Sequence, residues 1–353
     1  MLYNKSELFN FCKTALMAQG VSEKNAQVTT ALLIEADEMG IHSHGVKNLH
    51  KYIEKIRLGK LNPACQIEVV SDMPGCAVLD AHNSIGMVSG YRGMKLAMEK
   101  ARKTGIGYVC VRNSCHFGAG GVYSNLAARE GMFGIAMSNT DPNMAIPGTI
   151  GMTIGNNPFS YAYPKENGQS VFLDIALSAT AALKINKAKQ AHEQIPNTWL
   201  IDDHGNATTD PSWYGNGGAL QPIAAYELHV PFIIWTSSCL SVMVEALTAM
   251  MSGGCTCRDV PSWCFNLDSY NHVCHAFLAF DIAAITGEQN FLNAASTYEK
   301  YLKSAKTKDE RTTVMMPGEI EWNNIQAAEV GIDLPLDVVS ELDMLKEMVA
   351  EKS

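Results

Sequence analysis

Apolar residues recur at helical spacing through about the first sixty residues of the chain. This periodicity predicts three helices. The first ends at Gly20, the second begins after an N-cap at Ser22 and ends at Gly40, and the third ends at Gly59. The loop between the second and third helices, residues 41–45, contains two histidines.

From about residue 66 the pattern changes to short apolar runs separated by helical stretches. The runs predict strands at residues 67–70, 76–79, 106–111, 134–138, 171–175 and 276–280. Helices are predicted between them at about residues 87–103, 120–130, 178–190, 240–252 and 288–304. The alternation of strands and helices is typical of an α/β domain.

The chain becomes helical again after Pro317. The apolar spacing of the last helix needs a partner surface and is carried by Leu336, Val339, Leu342, Leu345 and Met348. We therefore expect an α/β domain at residues 73–319, flanked by a helical layer that residues 1–72 form together with residues 320–353.

Composition narrows the class of protein. The 353 residues are 47% hydrophobic and 18% charged, as in a soluble globular protein, and the net charge is −9. An acidic surface repels phosphate backbones and anionic lipid, so neither nucleic acid nor a membrane is an expected partner. The N-terminus does not read as a signal peptide, and no apolar run reaches the ~20 residues of a membrane span. With ten cysteines, these features predict a cytoplasmic protein with reduced thiols.

Two histidines lie where a catalytic group is expected. His44 is in the loop between two predicted helices, and Ser43 could cap the second of them, where free N–H groups favour a carboxylate and lower the pKa of a nearby histidine. His116 follows the strand predicted at 106–111, in a loop position that is common for active sites. Each histidine is equally compatible with a surface or capping role.

Nucleotide-binding signatures are missing from the sequence. The segment from Gly118 to Tyr123 lacks the third glycine of the dinucleotide-binding GxGxxG fingerprint, and there is no GxxxxGK[ST]. Gly120 and Gly121 would nevertheless let the backbone approach a ligand. Spacing alone therefore does not identify a nucleotide-dependent enzyme.

Two other kinds of site are less well supported. A cysteine- and histidine-rich segment, residues 255–275, has Cys-x-Cys spacing rather than the Cys-x2–4-Cys of a structural zinc site, and we expect no metal. A serine hydrolase would need a GxSxG nucleophile elbow, which does not occur. Cys115 and His116 are adjacent, and neighbours on an extended segment point in opposite directions, so they make a poor catalytic pair.

Short motifs along almost the whole chain resemble a known family. They are Ala36-Asp37 with Gly40, Ser43-His44-Gly45-Val46, Asn113-Ser114 with His116-Phe117-Gly118, Ser138-Asn139, Gly155-Asn156-Asn157-Pro158, Asp174-Ile175-Ala176, Ile195-Pro196, Asp203 with Gly205, Thr209-Asp210-Pro211 and Pro317-Gly318-Glu319. Each motif is weak, but their order and spacing together are specific. The sequence resembles the type 2 malate/L-lactate dehydrogenases, which are unrelated to the Rossmann-fold lactate and malate dehydrogenases.

This resemblance implies an α/β fold that binds nicotinamide without the Rossmann fingerprint. It implies a homodimer that transfers a hydride between NAD or NADP and a small 2-hydroxy acid. Malate is the first expectation, and lactate, ureidoglycolate and sulfolactate are the alternatives.

The resemblance also implies roles for particular residues. His116 is expected to be the acid/base, and His44 a second catalytic or substrate-binding group. The other residues expected in the site are Ser43, Lys47 and Asn48 for the substrate and Gly120, Gly121, Ser138, Asp174, Ile175, Ala176 and Gly318 for the cofactor.

Two departures from the family pattern affect these expectations. Family members usually carry an arginine four residues after the first histidine, whereas this chain has Asn48, with Lys47 beside it. The family's lysine-glycine segment has no counterpart at residues 226–239. An alternative hypothesis is therefore a degenerate family member that binds a ligand without turnover.

Overall fold

A computed structural model describes residues 1–223, 231–309 and 311–350, and for residues 231–237 and 348–350 it describes the backbone only. The strands are β1 (Leu2–Tyr3), β2 (Glu68–Asp72), β3 (Cys76–Asp80), β4 (Ile106–Ser114), β5 (Met132–Ser138), β6 (Phe159–Pro164), β7 (Ser170–Ile175), β8 (Leu200–Ile201), β9 (Ala207–Thr208), β10 (Ala219–Leu220), β11 (Val273–Asp281) and β12 (Ile332–Asp333). The helices are α1 (Lys5–Met17), α2 (Glu23–Glu38), α3 (Leu49–Arg57), α4 (Gly86–Thr104), α5 (Gly121–Arg129), α6 (Ala182–Ala191), α7 (Pro231–Glu245), α8 (Ile282–Ile285), α9 (Glu288–Lys303), α10 (Glu319–Ala327) and α11 (Leu336–Ala350).

Seven strands form one mixed sheet in the order β2-β3-β4-β11-β5-β6-β7. Only β3 and β4 pair in parallel, and the other neighbours in this sheet are antiparallel. Strand β11, the last strand of this sheet in sequence, inserts between β4 and β5, so the end of β4 and the start of β11 meet near the loop that carries His116. The α/β class expected from the sequence is confirmed, with an arrangement that is mostly antiparallel.

The two faces of the sheet are covered differently. On one face, α4 and α5 pack against β4, β5 and β11, and α2 packs against α4 and α5 from outside. On the other face, Val244 at the end of α7 joins a smaller cluster with Met137 and Leu177. A further small sheet, β10-β8-β9, packs with α6 around Leu200 and Ile185.

Both chain termini contribute to one helical layer, as predicted. Strand β1 pairs with β12, and α11 packs against α3 and the turn that precedes it. Val339, Leu342 and Leu345 are buried in the same core as the N-terminal helices. Leu336 was expected on this buried face, but it begins α11 and is 77% exposed. The side chain of Met348 lies outside the described residues, and the domain boundaries at residues 72 and 319 stay a prediction.

Two of the longer elements differ from the sequence prediction, and the two-residue strands and the four-residue helix α8 were not predicted. Strand β6 was not predicted, although its buried Ser160 and Ala162 alternate with partly exposed aromatic residues. The helix predicted at 240–252 begins earlier, at Pro231, and continues into a π-helical turn at Ala246–Met250. Among the described residues, no helix is both long and apolar enough to cross a membrane.

Candidate active site

His116 is positioned by a strand end and by a helix from the terminal layer. It lies two residues beyond β4, and its Nδ1 is 2.6 Å from the hydroxyl oxygen of Tyr52 on α3. Tyr52 is fully buried, whereas His116 remains partly exposed. Because Nδ1 is occupied by the phenol, Nε2 is the nitrogen available for a ligand.

Aromatic rings enclose the His116 imidazole. The His44 ring stacks on it at 5.4 Å between centroids, and the Trp263 ring stacks on it at 4.8 Å with an interplanar angle of 11°. Trp263 also contacts Tyr52, at 4.6 Å between centroids. These three surrounding rings restrict water around the imidazole and hold its orientation.

This enclosure changes the ionisation of the cluster. Burial, assisted by the charges of His44 and Lys51, holds the pKa of His116 well below its usual 6.5. Burial alone lowers the pKa of His44 to about 4. Burial also raises the pKa of the Tyr52 phenol well above 10. Near neutral pH the cluster therefore contains two neutral imidazoles and a protonated phenol.

The prediction that Ser43 caps the helix after His44 is wrong. The 3₁₀ turn Val46–Asn48 leads into α3, and the residue that accepts its first N–H is Asp37, whose Oδ2 is 2.8 Å from Val46 N. A Cβ on Gly45 would overlap the Asp37 carboxylate, so only glycine fits there. The Ser43 hydroxyl instead lies 2.8 Å from Nδ1 of His44, where it orients that ring.

The other two predicted substrate-binding residues are engaged within the protein. The Lys47 Nζ donates to Asp337 Oδ2 on α11 at 2.7 Å. The Asn48 amide donates to the Ser43 carbonyl oxygen at 2.7 Å and closes the loop around His44. The structure thus brings His44, Ser43 and Asn48 together with His116, whereas the Lys47 amine is directed toward the C-terminal helix.

His275 on β11 is a buried polar residue that the sequence analysis did not assign to the site. Its Nδ1 is 2.9 Å from Ser138 Oγ, and its Nε2 is 2.9 Å from Ser114 Oγ. Its ring stacks on Phe117, the residue after His116, at 4.4 Å between centroids. The predicted cofactor residue Ser138 is thereby connected to the His116 loop. The sequence signal that could have identified His275 is a histidine beside the apolar run of a predicted strand, because a buried polar side chain needs hydrogen-bond partners.

Three of the predicted cofactor residues form a separate unit at the start of α5. Asp174 Oδ2 accepts a hydrogen bond from Gly121 N at 2.8 Å, and a Cβ on Gly120 would lie 3.1 Å from Asp174 Oδ1. Burial raises the pKa of Asp174 to about 6, against the opposing effect of the hydrogen bond from the Gly121 N–H. The helix N-terminus therefore already has a carboxylate partner.

The remaining predicted cofactor residues lie along the edge strand β7. Ile175 and Ala176 are partly exposed where this strand ends. Gly318 has a φ of +91° and lies so close to Phe172 of β7 that a Cβ would be 2.6 Å from the ring. Ile175, Ala176 and Gly318 thus lie at the same edge of the sheet as Asp174, although the side chain of Ile175 packs in the cluster on the opposite face.

Alternative chemistry receives little support from the geometry. No group of three or more His, Cys, Asp or Glu side chains in the described part of the chain is arranged to hold a metal ion. The Cys115 thiol donates to Asn271 Oδ1 at 3.0 Å, and burial raises its pKa to about 12, so it is a poor nucleophile. Residues 226–239, where the family's lysine-glycine segment has no counterpart, fall partly within residues 224–230, which lie outside the described residues.

Comparisons with known proteins agree along the whole chain. A family model described as malate/L-lactate dehydrogenase matches residues 3–343. The malate dehydrogenase of Pyrococcus abyssi is 34% identical over 353 residues, which cover 99% of this chain and 95% of that protein. The malate/(S)-sulfolactate dehydrogenase of Methanothermus fervidus is 32% identical over 340 residues, which cover 95% of this chain and 94% of that protein.

The fold matches as well. The structure of malate dehydrogenase from Pyrococcus horikoshii OT3 superposes with a TM-score of 0.89 at 33% identity, and the match covers 99% of this chain and 95% of that chain. The sequence and fold comparisons agree, and the chain belongs to the malate/L-lactate dehydrogenase family.

Proposed function

We propose that this chain transfers a hydride between NAD or NADP and a small 2-hydroxy acid, with malate as substrate and His116 as acid/base. The observation that carries this proposal is the state of the His116 imidazole. It is neutral, held through Nδ1 by Tyr52, and partly exposed. A group of this kind can take a proton from a bound hydroxyl and return it.

The path of the proton depends on which nitrogen of the neutral His116 imidazole carries the hydrogen. When the carbinol carbon of the substrate loses a hydride, its hydroxyl proton must leave, and Nε2 of His116 accepts it. For Nε2 to accept it, the neutral imidazole must carry its hydrogen on Nδ1, where it is donated to the phenolic oxygen of Tyr52; the imidazolium that forms keeps this hydrogen bond. In the reducing direction the same imidazolium protonates the carbonyl oxygen. Its low pKa makes it a strong acid for that step.

The nicotinamide cofactor supplies the hydride acceptor or donor when bound. We assign its site to the edge of β7, where Ile175 and Ala176 are partly exposed, together with Asp174, Gly318 and Ser138. Backbone N–H and C=O groups at a strand edge suit the carboxamide of nicotinamide.

Gly120 and Gly121 are kept in the cofactor site because they adjoin Asp174. Their helix N-terminus already binds the Asp174 carboxylate, so it is not an open phosphate site. The donor set therefore fits the nicotinamide end of the cofactor better than its pyrophosphate.

For the substrate, we propose that His44, Ser43 and Asn48 bind the carboxylate next to the reacting carbon. They form one hydrogen-bonded loop beside His116. Malate is supported by the names of the relatives, and sulfolactate, lactate and ureidoglycolate are the alternatives. Lys47 could contribute only if it released Asp337.

The proposal extends to the assembly and the cellular compartment of the protein. A homodimer is proposed from the family resemblance. A cytoplasmic location is supported by ten cysteines that are all free of disulfides.

A second candidate function is ligand binding without turnover. Residues 226–239 lack the family's lysine-glycine segment, and this departure favours it. Binding would then persist while the chemical step failed.

One assay separates the two candidates. The purified protein is incubated with malate, lactate, ureidoglycolate or sulfolactate and with NAD or NADP, and NAD(P)H absorbance is followed. We expect turnover with malate. Fluorescence titration with NADH and NADPH runs in parallel, and cofactor binding without turnover on any of the four acids would favour the second candidate.

A further inference from the structure

Malate carries two carboxylates at neutral pH, whereas the residues assigned above provide no free cation. Asn48 is neutral, and the Lys47 amine pairs with Asp337. Two buried negative charges without a cationic partner would be costly to desolvate. If malate is the substrate, another cation should therefore face the site.

Lys51 meets this requirement. It is three residues after Asn48 and directly before Tyr52, in the first turn of α3. Residues three apart lie on the same side of a helix, so Lys51 is on the side that presents Asn48. Its side chain is partly buried, and within the described residues its amine has no hydrogen bond or ion pair.

The charge of the Lys51 amine also affects the pKa values of nearby groups. The positive charge of Lys51 lowers the pKa of His116, and it opposes the burial that raises the pKa of Cys264. Its charge therefore acts both on the imidazole and on the segment that contains Trp263 and Cys264, and it also acts on His50 of the same helix. Asp141, a carboxyl group whose charge also acts on Cys264, is hydrogen-bonded to Ser262 rather than to Lys51.

We propose that Lys51 binds the distal anionic group of the substrate and selects 2-hydroxy acids that carry a second negative charge. This inference rests on the proposed function. Lys51 lies toward Trp263 and Cys264, whereas the His44 loop is built from residues 43–48. The two ends of a four-carbon diacid can therefore be held by different elements with the hydroxyl carbon at His116. The amine replaces, from the next helical turn, the arginine that this chain lacks at position 48.

The test compares a diacid with a monoacid. Lys51→Met keeps the aliphatic length and removes the charge, and Lys51→Arg restores a cation. Steady-state kinetics are measured with malate and with 2-hydroxybutyrate, which has four carbons and no distal carboxylate. For Lys51→Met we expect kcat/KM for malate to fall about 10- to 100-fold, as for a lost charge-assisted hydrogen bond. The value for 2-hydroxybutyrate should change less than threefold, and Lys51→Arg should recover most of the loss.

A matched control and a binding measurement complete the test. Lys24→Met removes an exposed lysine from α2 and should leave both substrates unaffected. Calorimetric titration of the NADH-bound protein with succinate, a diacid without the hydroxyl, should show at least tenfold weaker binding to Lys51→Met than to wild type. This measurement does not need turnover.

The outcomes are distinguishable. Absence of turnover in wild type, with succinate binding that depends on Lys51, overturns the proposed function and supports the role of Lys51. Equal losses for malate and 2-hydroxybutyrate, a loss confined to NADH affinity, unchanged kinetics in Lys51→Met, or no succinate binding to wild type would each overturn the role of Lys51.

Discussion

The polar groups of the site come from segments far apart in sequence, and the contacts of each group in the folded chain indicate its role. His116 and His44 were recognisable because histidines in loops at the ends of elements often serve as functional groups. Tyr52 and Trp263 were not, because both also satisfy the requirements of a core aromatic residue. Only the folded chain shows that the Tyr52 hydroxyl reaches His116.

Replacing Tyr52 by phenylalanine tests the positioning of that histidine. The ring should still pack on Trp263, but the imidazolium would lose its hydrogen-bond acceptor. We expect kcat to fall about tenfold or more while KM for malate changes less than threefold, and the unfolding free energy to fall by about 1–3 kcal/mol. Kinetics and urea denaturation measure the two effects. Tyr301→Phe, at an exposed position, is the control; an unchanged kcat in Tyr52→Phe would remove the phenol from the mechanism.

The burial of His275 predicts how the free energy of unfolding changes in acid. Burial lowers its pKa to about 3, so it stays neutral in the folded protein, whereas it protonates near pH 6.5 once unfolded. The unfolded state therefore binds more protons between these values, and stability falls as pH decreases through that window. From pH 7 to 5 the contribution of His275 is a loss of about 2 kcal/mol.

The measurement is urea denaturation of wild type and His275→Gln at pH 7 and pH 5. Other groups titrate too, including Asp174, whose raised pKa acts in the opposite direction. The comparison is therefore between slopes: His275→Gln should lose less stability than wild type on acidification. His204→Gln, at a residue that is 80% exposed, should keep the wild-type slope. Equal slopes for His275→Gln and wild type would mean that His275 is not held neutral.

Among the elements, those with strong periodicity were predictable, and so was the N-cap of α2, where the Ser22 hydroxyl accepts a hydrogen bond from Asn25 N. The cap of the turn after His44 was not predictable. The pattern located most of the sheet strands and long helices, because burial of one face imposes its period on the sequence. Asp37 caps the turn after His44 from nine residues away, a contact that local sequence rules assign to Ser43 instead. Strand β6 was missed because Tyr161 and Tyr163 interrupt what would otherwise be a buried run.

The C-terminal helix offers a direct test of the terminal layer. Leu345 is 1% exposed within the shared core, whereas Leu336 on the same helix is 77% exposed. Leu345→Ala should lower the unfolding free energy by about 2–5 kcal/mol because it leaves a cavity. Leu336→Ala should change it by less than about 0.5 kcal/mol. Similar effects of the two substitutions in chemical denaturation would contradict the packing of α11 described here.

For the molecule as a whole, the sequence predicted the class of fold and the helical layer formed by both chain termini, but not the order of the strands. The insertion of β11 between β4 and β5 joins residues more than 130 positions apart. Such long-range pairing leaves no local signal. It is also what places His275 between Ser114 and Ser138. The candidate site was therefore predictable as a set of loop residues, whereas its supporting polar contacts required the tertiary structure.

The central claim is that His116 carries the proton during turnover, and His116→Ala tests it most directly. Kinetics with malate and the preferred cofactor should show kcat reduced about 10²–10⁴-fold, the usual contribution of a positioned acid/base. Fluorescence titration should show NAD(P)H affinity within about threefold of wild type, and a thermal melt should confirm a folded variant. A folded His116→Ala protein with wild-type kcat would contradict the assignment.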